Sequence, residues 1–316
     1  MRAARFVLYG DAEVDMSALE VFPCAVLALG LSAVMACSAP PDSSFRSGTQ
    51  PKPGDSTAPS FDPAKGGDAP VESGSTPTAG ATVVFGHSAD TLYRMDPTTR
   101  AVTVVGRFDC ASDVTDLAVD GASNGWASSF EGLVRVDLTT ARCTSVARGT
   151  YPNSLSFVPK GTLDANAEAL VGYDGDRYLQ INPQTGATRE IGRLGGGYES
   201  SGDIVAVEGG GAFLTAKRAG CNDCLLQVDP KTGAMVQDYG PVGRADVFGL
   251  AFWGGRLYGF SDAGELFEIG VASGRVVIKT IAIPSAPAGL QFWGAGSSTT
   301  APVKADDGSS IPIIVR

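Results

Sequence analysis

The sequence predicts an all-β chain whose main domain is a five-bladed β-propeller closed by its own C-terminal strand. Three observations predict it. The 316 residues include 41 glycines and 19 prolines with only 18% charged residues, a composition of many turns and short strands. One turn motif recurs five times, at intervals of 41, 45, 47 and 41 residues, the length of a four-stranded blade. Each copy is preceded by short apolar runs set off by glycine, and no segment competes with a helical period.

In chain order, residues 21–36, "VFPCAVLALGLSAVMA", form an apolar run of signal-peptide length, too short to span a bilayer comfortably. It ends at "VMAC", residues 34–37, which resembles the lipobox of bacterial lipoproteins. The resemblance implies that residues 1–36 are removed and that Cys37 is lipidated and becomes the anchored N-terminus. Met35 departs from the usual pattern, as do the acidic residues ahead of the apolar run. Through the remainder of residues 37–80, Ser, Pro, Gly, Thr and Ala predominate. Such a stretch buries too little apolar surface to offset its ordering entropy, and it reads as a disordered tether.

Residues 81–294 hold the repeat. The five copies are "LYRMDPTTRAVTVVG" from Leu92, "LVRVDLTTARCTSVA" from Leu133, "YLQINPQTGATREIG" from Tyr178, "LLQVDPKTGAMVQDY" from Leu225 and "LFEIGVASGRVVIKT" from Leu266. In the fullest form of the turn, Asp or Asn caps backbone N–H groups two residues on, proline presets φ, and glycine takes the left-handed conformation before the strand returns. Second strands precede the hairpins at "VVFG", "GWAS", "ALVG", "AFLT" and "LYGF". First strands precede four of these: "DLAV" from Asp116, "SLSF" from Ser154, "DIVAV" from Asp203 and "GLAF" from Gly249. The copy starting at Val83 lacks one. "GLQF" from Gly289 is expected to supply it and to close the ring, which removes both open edges. Residues 295–316 then form a tail. A six-bladed ring using "IPIIVR", residues 311–316, is the alternative.

The "DPxTG" turns, short inner strands and envelope anchor resemble the secreted bacterial propellers of the YVTN-like and quinoprotein-like repeat group. That resemblance implies a fold and hosts many functions.

In a four-strand meander, the loops between second and third strands share a rim with the blade-to-blade loops. These loops are longer and more varied than those of the opposite rim, and they mark the expected binding face. It gathers His87 and Asp246 among other polar residues, while Asp116, Asn153 and Asp203 are placed by the inner strands at the mouth of the central channel. Asp116, Asn153, Asp203 and Asp246 are the candidate ligand-binding residues. Asp116, Asp203 and His87 are the candidates for acid–base catalysis, although a lone histidine in a hairpin loop is more often a surface residue. By position and residue type, Asp116, Asn153 and Asp203 resemble the channel-mouth sets of five-bladed glycosidases and six-bladed lactonases. Converging carboxylates would suit a divalent cation such as calcium; no other cofactor is expected.

Three motif matches fail in context. "GASNG", residues 121–125, lies in a strand-to-strand turn; "LGGGYESSG", residues 194–202, lacks the lysine of a phosphate loop; "DANAE", residues 164–168, lacks the glycine and distal glutamate of a calcium loop. Four cysteines follow Cys37 in the domain. Cys221 and Cys224 are expected to close on themselves, leaving Cys110 to pair with Cys143, provided the loop after Arg107 folds back toward the other rim.

The net charge of −10, with 23 acidic against 17 basic residues over residues 81–294, disfavours nucleic acid as a partner. The expected protein is an exported cell-envelope lipoprotein, at the outer membrane or cell surface, touching the membrane only through its lipid. It would act as a binding or scaffold module for a protein, glycan or small molecule. The alternative is a hydrolase acting on carbohydrate or lactone at the channel mouth.

Overall fold

The computed structural model describes residues 84–304. The leader, Cys37, the tether and residues 311–316 lie outside the described residues.

Among the described residues, twenty strands form five antiparallel four-stranded sheets arranged as the blades of a propeller. Blade one contains β1 (Val84–His87), β2 (Thr91–Met95) and β3 (Val102–Arg107). Blade two runs from its inner strand outward as β4 (Val114–Val119), β5 (Gly125–Ser129), β6 (Gly132–Val136) and β7 (Cys143–Arg148). Blade three is β8 (Leu155–Val158), β9 (Ala169–Asp174), β10 (Arg177–Ile181) and β11 (Thr188–Arg193). Blade four is β12 (Glu199–Val207), β13 (Gly211–Arg218), β14 (Cys221–Val228) and β15 (Met235–Pro241). Blade five is β16 (Val247–Trp253), β17 (Arg256–Ser261), β18 (Leu266–Ala272) and β19 (Arg275–Ile281). The innermost strand of blade one is β20 (Gly294–Ser297), which pairs with β1 in the register Val84↔Ser297 to His87↔Gly294.

The ring therefore closes as expected, but with a different segment. "GLQF" was expected to be the closing strand; instead residues 289–293 belong to the connection from blade five, and the strand begins at Gly294. The reason is steric. The inner strands of a five-bladed ring approach one another closely: a Cβ on Gly249 would press on Ala295, and one on Gly296 would meet the Leu117 carbonyl. Small residues fit there, and "GAGS" supplies them. The copied Phe292 is buried elsewhere, packed edge-on against Phe260 at 5.0 Å and Tyr93 at 5.9 Å in the seam between blades five and one.

Five hydrophobic clusters fill the five blade-to-blade seams. Along β4, Leu117 and Val119 face blade one while Ala118 faces blade three, so both sides of the strand are buried. Period-2 alternation between apolar and polar residues is lost for that reason, and the inner strands read as continuous apolar runs.

The repeated turn has the predicted mechanism and a second duty. Asp96, Asp137, Asn182 and Asp229 each accept a hydrogen bond from the backbone N–H two residues on, at 2.8–2.9 Å. Arg100, Ala141, Gly186 and Gly233 take the left-handed position, with φ between 61° and 72°. Several turns also dock on the preceding blade. Trp126 donates to the Pro183 carbonyl, Tyr178 to Pro230 and Tyr173 to Gly233, while Arg100 of blade one reaches Glu268 of blade five. Blade five departs from the pattern: Ser273 and Gly274, both at positive φ, make a two-residue hairpin turn.

Both disulfides form as expected, with Cα separations of 5.1 Å for Cys110–Cys143 and 5.9 Å for Cys221–Cys224. The loop after Arg107 does fold back. Phe108 and Cys110 pack in the seam between blades one and two, and Asp109 accepts the Cys143 N–H at 2.6 Å.

The inner strands begin at what we call the upper rim and end at the lower rim. Past β20, residues 298–302 cross the lower end: Ser298 bridges Val119, Thr299 accepts from Glu208 N–H and contacts Glu168, and Pro302 accepts from Gly255. The ordered domain thus continues past the expected boundary at Gly294. Val84 and Lys304, the ends of the described chain, both lie at the lower rim, since Val84 pairs with Ser297 and Pro302 bonds the β16–β17 turn.

Candidate functional site

Two layers of residues surround the upper end of the axis, each with one contribution from every blade. The upper layer is Thr115, Asn153, Gly202, Phe248 and Trp293; the layer beneath is Asp116, Ser154, Asp203, Gly249 and Gly294.

The upper layer forms the floor of an open cavity of about 430 Å³, whose walls include Phe130, Tyr151, Pro152 and Asp174. Phe130 stands 68% exposed on the β5–β6 turn. Trp293 donates its indole N–H to Asp262 at 3.0 Å, and Tyr151 donates its hydroxyl to the Gly186 carbonyl at 2.8 Å. The polar ends of both rings are therefore held by the protein.

Asp116, Ser154 and Asp203 in the lower layer are fully buried, as is His87 beside them. Each aspartate uses one oxygen to join adjacent blades: Asp116 accepts the Leu155 N–H at 2.5 Å, and Asp203 accepts the Leu250 N–H at 2.9 Å. The other oxygens have no partner among the described residues, nor do His87 Nε2 and Ser154 Oγ. His87 Nδ1 lies 2.9 Å from the Ser88 carbonyl. A carbonyl only accepts, so Nδ1 donates to it. The other ring nitrogen, Nε2, faces Asp116 Oδ1 at 4.0 Å.

Burial pushes the Asp116 carboxyl above the usual carboxylate range, against the pull of His87 and of the N–H groups of Leu155 and Leu117. Asp203 is raised further, first by burial and then by the negative charge of Asp116 beside it.

The expectation of a surface histidine is corrected. His87 is the last residue of β1, and its partner on β20 is Gly294. A side chain on Gly294 would occupy the positions of His87 Nε2 and Asp116 Oδ1, so its absence lets the imidazole turn inward.

The structure thus brings His87, Asp116 and Asp203 together, with Asn153 one layer above. It leaves Asp246 apart, exposed in the blade-four-to-five loop at φ 54°, where its carbonyl accepts from Asp262 and Phe248. Sequence reasoning missed Ser154 and the cavity aromatics Phe130, Tyr151 and Phe248. One signal was available for Phe248, which stands immediately before "GLAF" as Thr115 and Gly202 stand before the two aspartates.

No protein-family model matches the chain, and no curated protein does. Solved propellers resemble it weakly. A chain of the nidogen/laminin complex is 12% identical over 69% of this chain and 99% of its own, with a TM-score of 0.45. The extracellular domain of a putative one-component system from B. thetaiotaomicron is 16% identical over 67% and 30%, with a TM-score of 0.36. BamB from Moraxella catarrhalis is 14% identical over 63% and 64%, with a TM-score of 0.33. The likeness is one of fold alone.

Among the described residues no group of three or more His, Cys, Asp or Glu side chains is disposed to hold a metal ion. The two axial carboxylates bond neighbouring blades together, beneath a cavity that is open from above.

Proposed function

We propose that the protein is an exported, lipid-anchored propeller that acts as a binding or scaffold module at the cell envelope, with its ligand seated at the upper mouth of the axis. One observation carries this reading: all five blades contribute to the floor of one open cavity, whereas the candidate acid–base groups are sealed a layer below it. Two disulfides support export, since such bonds persist in oxidising compartments. Anchoring through Cys37 rests on the leader sequence. The test fills the cavity. Thr115→Trp places a bulky ring at the mouth, and ligands from a mixed peptide, glycan and small-molecule panel that raise the melting temperature of the parent protein should leave the variant unshifted. Equal shifts in both would overturn the reading.

A second reading, a hydrolase of carbohydrate or lactone, is favoured by the convergence of the free atoms of His87, Asp116, Ser154 and Asp203. It requires that Asp116→Asn and Asp203→Asn each abolish turnover of a substrate. The binding module requires that both variants keep their ligand. A calcium-dependent rise in melting temperature, lost in the same variants, would support a cation in the hydrolase reading.

A further inference from the structure

We propose that the mouth cavity takes the neutral end of a saccharide chain. The inference rests on the binding reading above and specifies its ligand chemistry.

The first argument is charge. The protein carries a net charge of −10, yet among the described residues Asp174 is the only ionisable side chain lining the cavity apart from the tyrosine, and Arg177 pairs with it at 3.1 Å. A charged ligand would be desolvated in the cavity without a counter-charge to receive it. A neutral ligand meets no such cost.

The second argument is surface chemistry. Because the indole N–H of Trp293 and the hydroxyl of Tyr151 are held by Asp262 and Gly186, these two residues offer ring surface rather than hydrogen bonds. Phe248 and Phe130 add two more rings. Rings of this kind suit the C–H faces of a pyranose.

The third argument is where the remaining polarity lies. The exposed amide of Asn153 makes no hydrogen bond to any described residue, and it supplies a donor and an acceptor at the floor. Thr150 adds a hydroxyl at the wall. Flat apolar walls combined with neutral two-way hydrogen-bonding groups match a ring that is apolar on its faces and hydroxylated at its edges. A purely apolar ligand would leave the amide unpaired.

The experiment titrates the purified full-length protein, by calorimetry, with three neutral oligosaccharides (of the cello-, malto- and chito- series). Polygalacturonate serves as the anionic control and an aromatic-rich neutral peptide as the competing class. At least one neutral oligosaccharide should bind, and its affinity should be nearly unchanged when salt rises from about 0.05 M to about 0.5 M. Phe248→Ala and Asn153→Ala should each weaken it on the order of tenfold. Asn153→Ala alters an exposed residue, so it keeps the test valid if the phenylalanine variant fails to fold. Binding of none of the three, or binding indifferent to both substitutions, overturns the proposal. Peptide binding that is lost in Phe248→Ala, with no saccharide bound, overturns the saccharide while leaving the cavity as a binding site.

Discussion

At the scale of single residues, the informative contrast lies between the two ways of changing Asp203. Its Oδ2 accepts the Leu250 N–H across the blade boundary, and its Oδ1 is buried beside Asp116. Asparagine reproduces the protonated acid, with one acceptor and one donor group in nearly the same volume. Asp203→Asn should therefore fold with stability close to that of the parent at neutral pH. Asp203→Ala orphans a buried N–H and should cost about 1–3 kcal/mol. The pH dependence has a definite sign. A carboxyl whose folded-state pKa lies above its ordinary value of 3.8 contributes stability that is complete below that value and is lost as pH rises through the folded pKa. Urea midpoints measured at increasing pH should fall more steeply for the parent than for Asp203→Asn. Parallel profiles would show that Asp203 ionises freely in the folded protein. The sequence placed both aspartates at the axis through their position in the repeat. It did not reveal the inward turn of His87, which depends on a missing side chain across the ladder, at Gly294.

At the scale of elements, the turn motif was legible because its constraints are local: a capping carboxylate or amide, a preset φ and a left-handed residue all lie within five positions. The docking of the turn on its neighbour was not legible, since it joins residues from different repeats. Gly233 displays both duties. It sits at φ 68°, and an added Cβ would fall on the Tyr178 ring. Gly274 has a similar φ of 74° with nothing near its added Cβ. Gly274→Ala should thus cost about 1 kcal/mol, for the backbone conformation alone. Gly233→Ala should cost about 2–4 kcal/mol, because a buried tyrosine must also move. Denaturant midpoints of the two variants separate the terms; equal losses would mean that the turn does not bear on the adjacent blade. The closing strand was the element least open to sequence reading. "GLQFWG" copies "GLAFWG" closely, but similarity of letters tracked a shared preference for burial, whereas the ladder selected the glycine- and alanine-rich segment that follows.

At the scale of the whole molecule, five seams of similar construction make a ring in which each blade is held on both sides. The seam between blades five and one differs from the others in being joined by the far ends of the domain. There Glu268 receives Arg256 from its own sheet at 2.8 Å and Arg100 from blade one at 3.1 Å, while Phe292 fills the space over Gly86. Ending the chain after Trp293 would remove β20 and the lower crossing, leaving β1 with an unpaired edge and the Val84 side of the seam open. Such a protein should lose its cooperative urea transition and bind the dye ANS. A truncated chain that retained a sharp transition with the parent's midpoint would show that the ring does not need its clasp.

The positions of Val84 and Lys304, where the described residues begin and end, have a practical corollary. Since Val84 and Lys304 lie at the rim opposite the aromatic mouth, a solid support or display partner joined directly at either residue would leave that mouth unobstructed. Immobilised protein should then capture its ligand from solution as readily as free protein does.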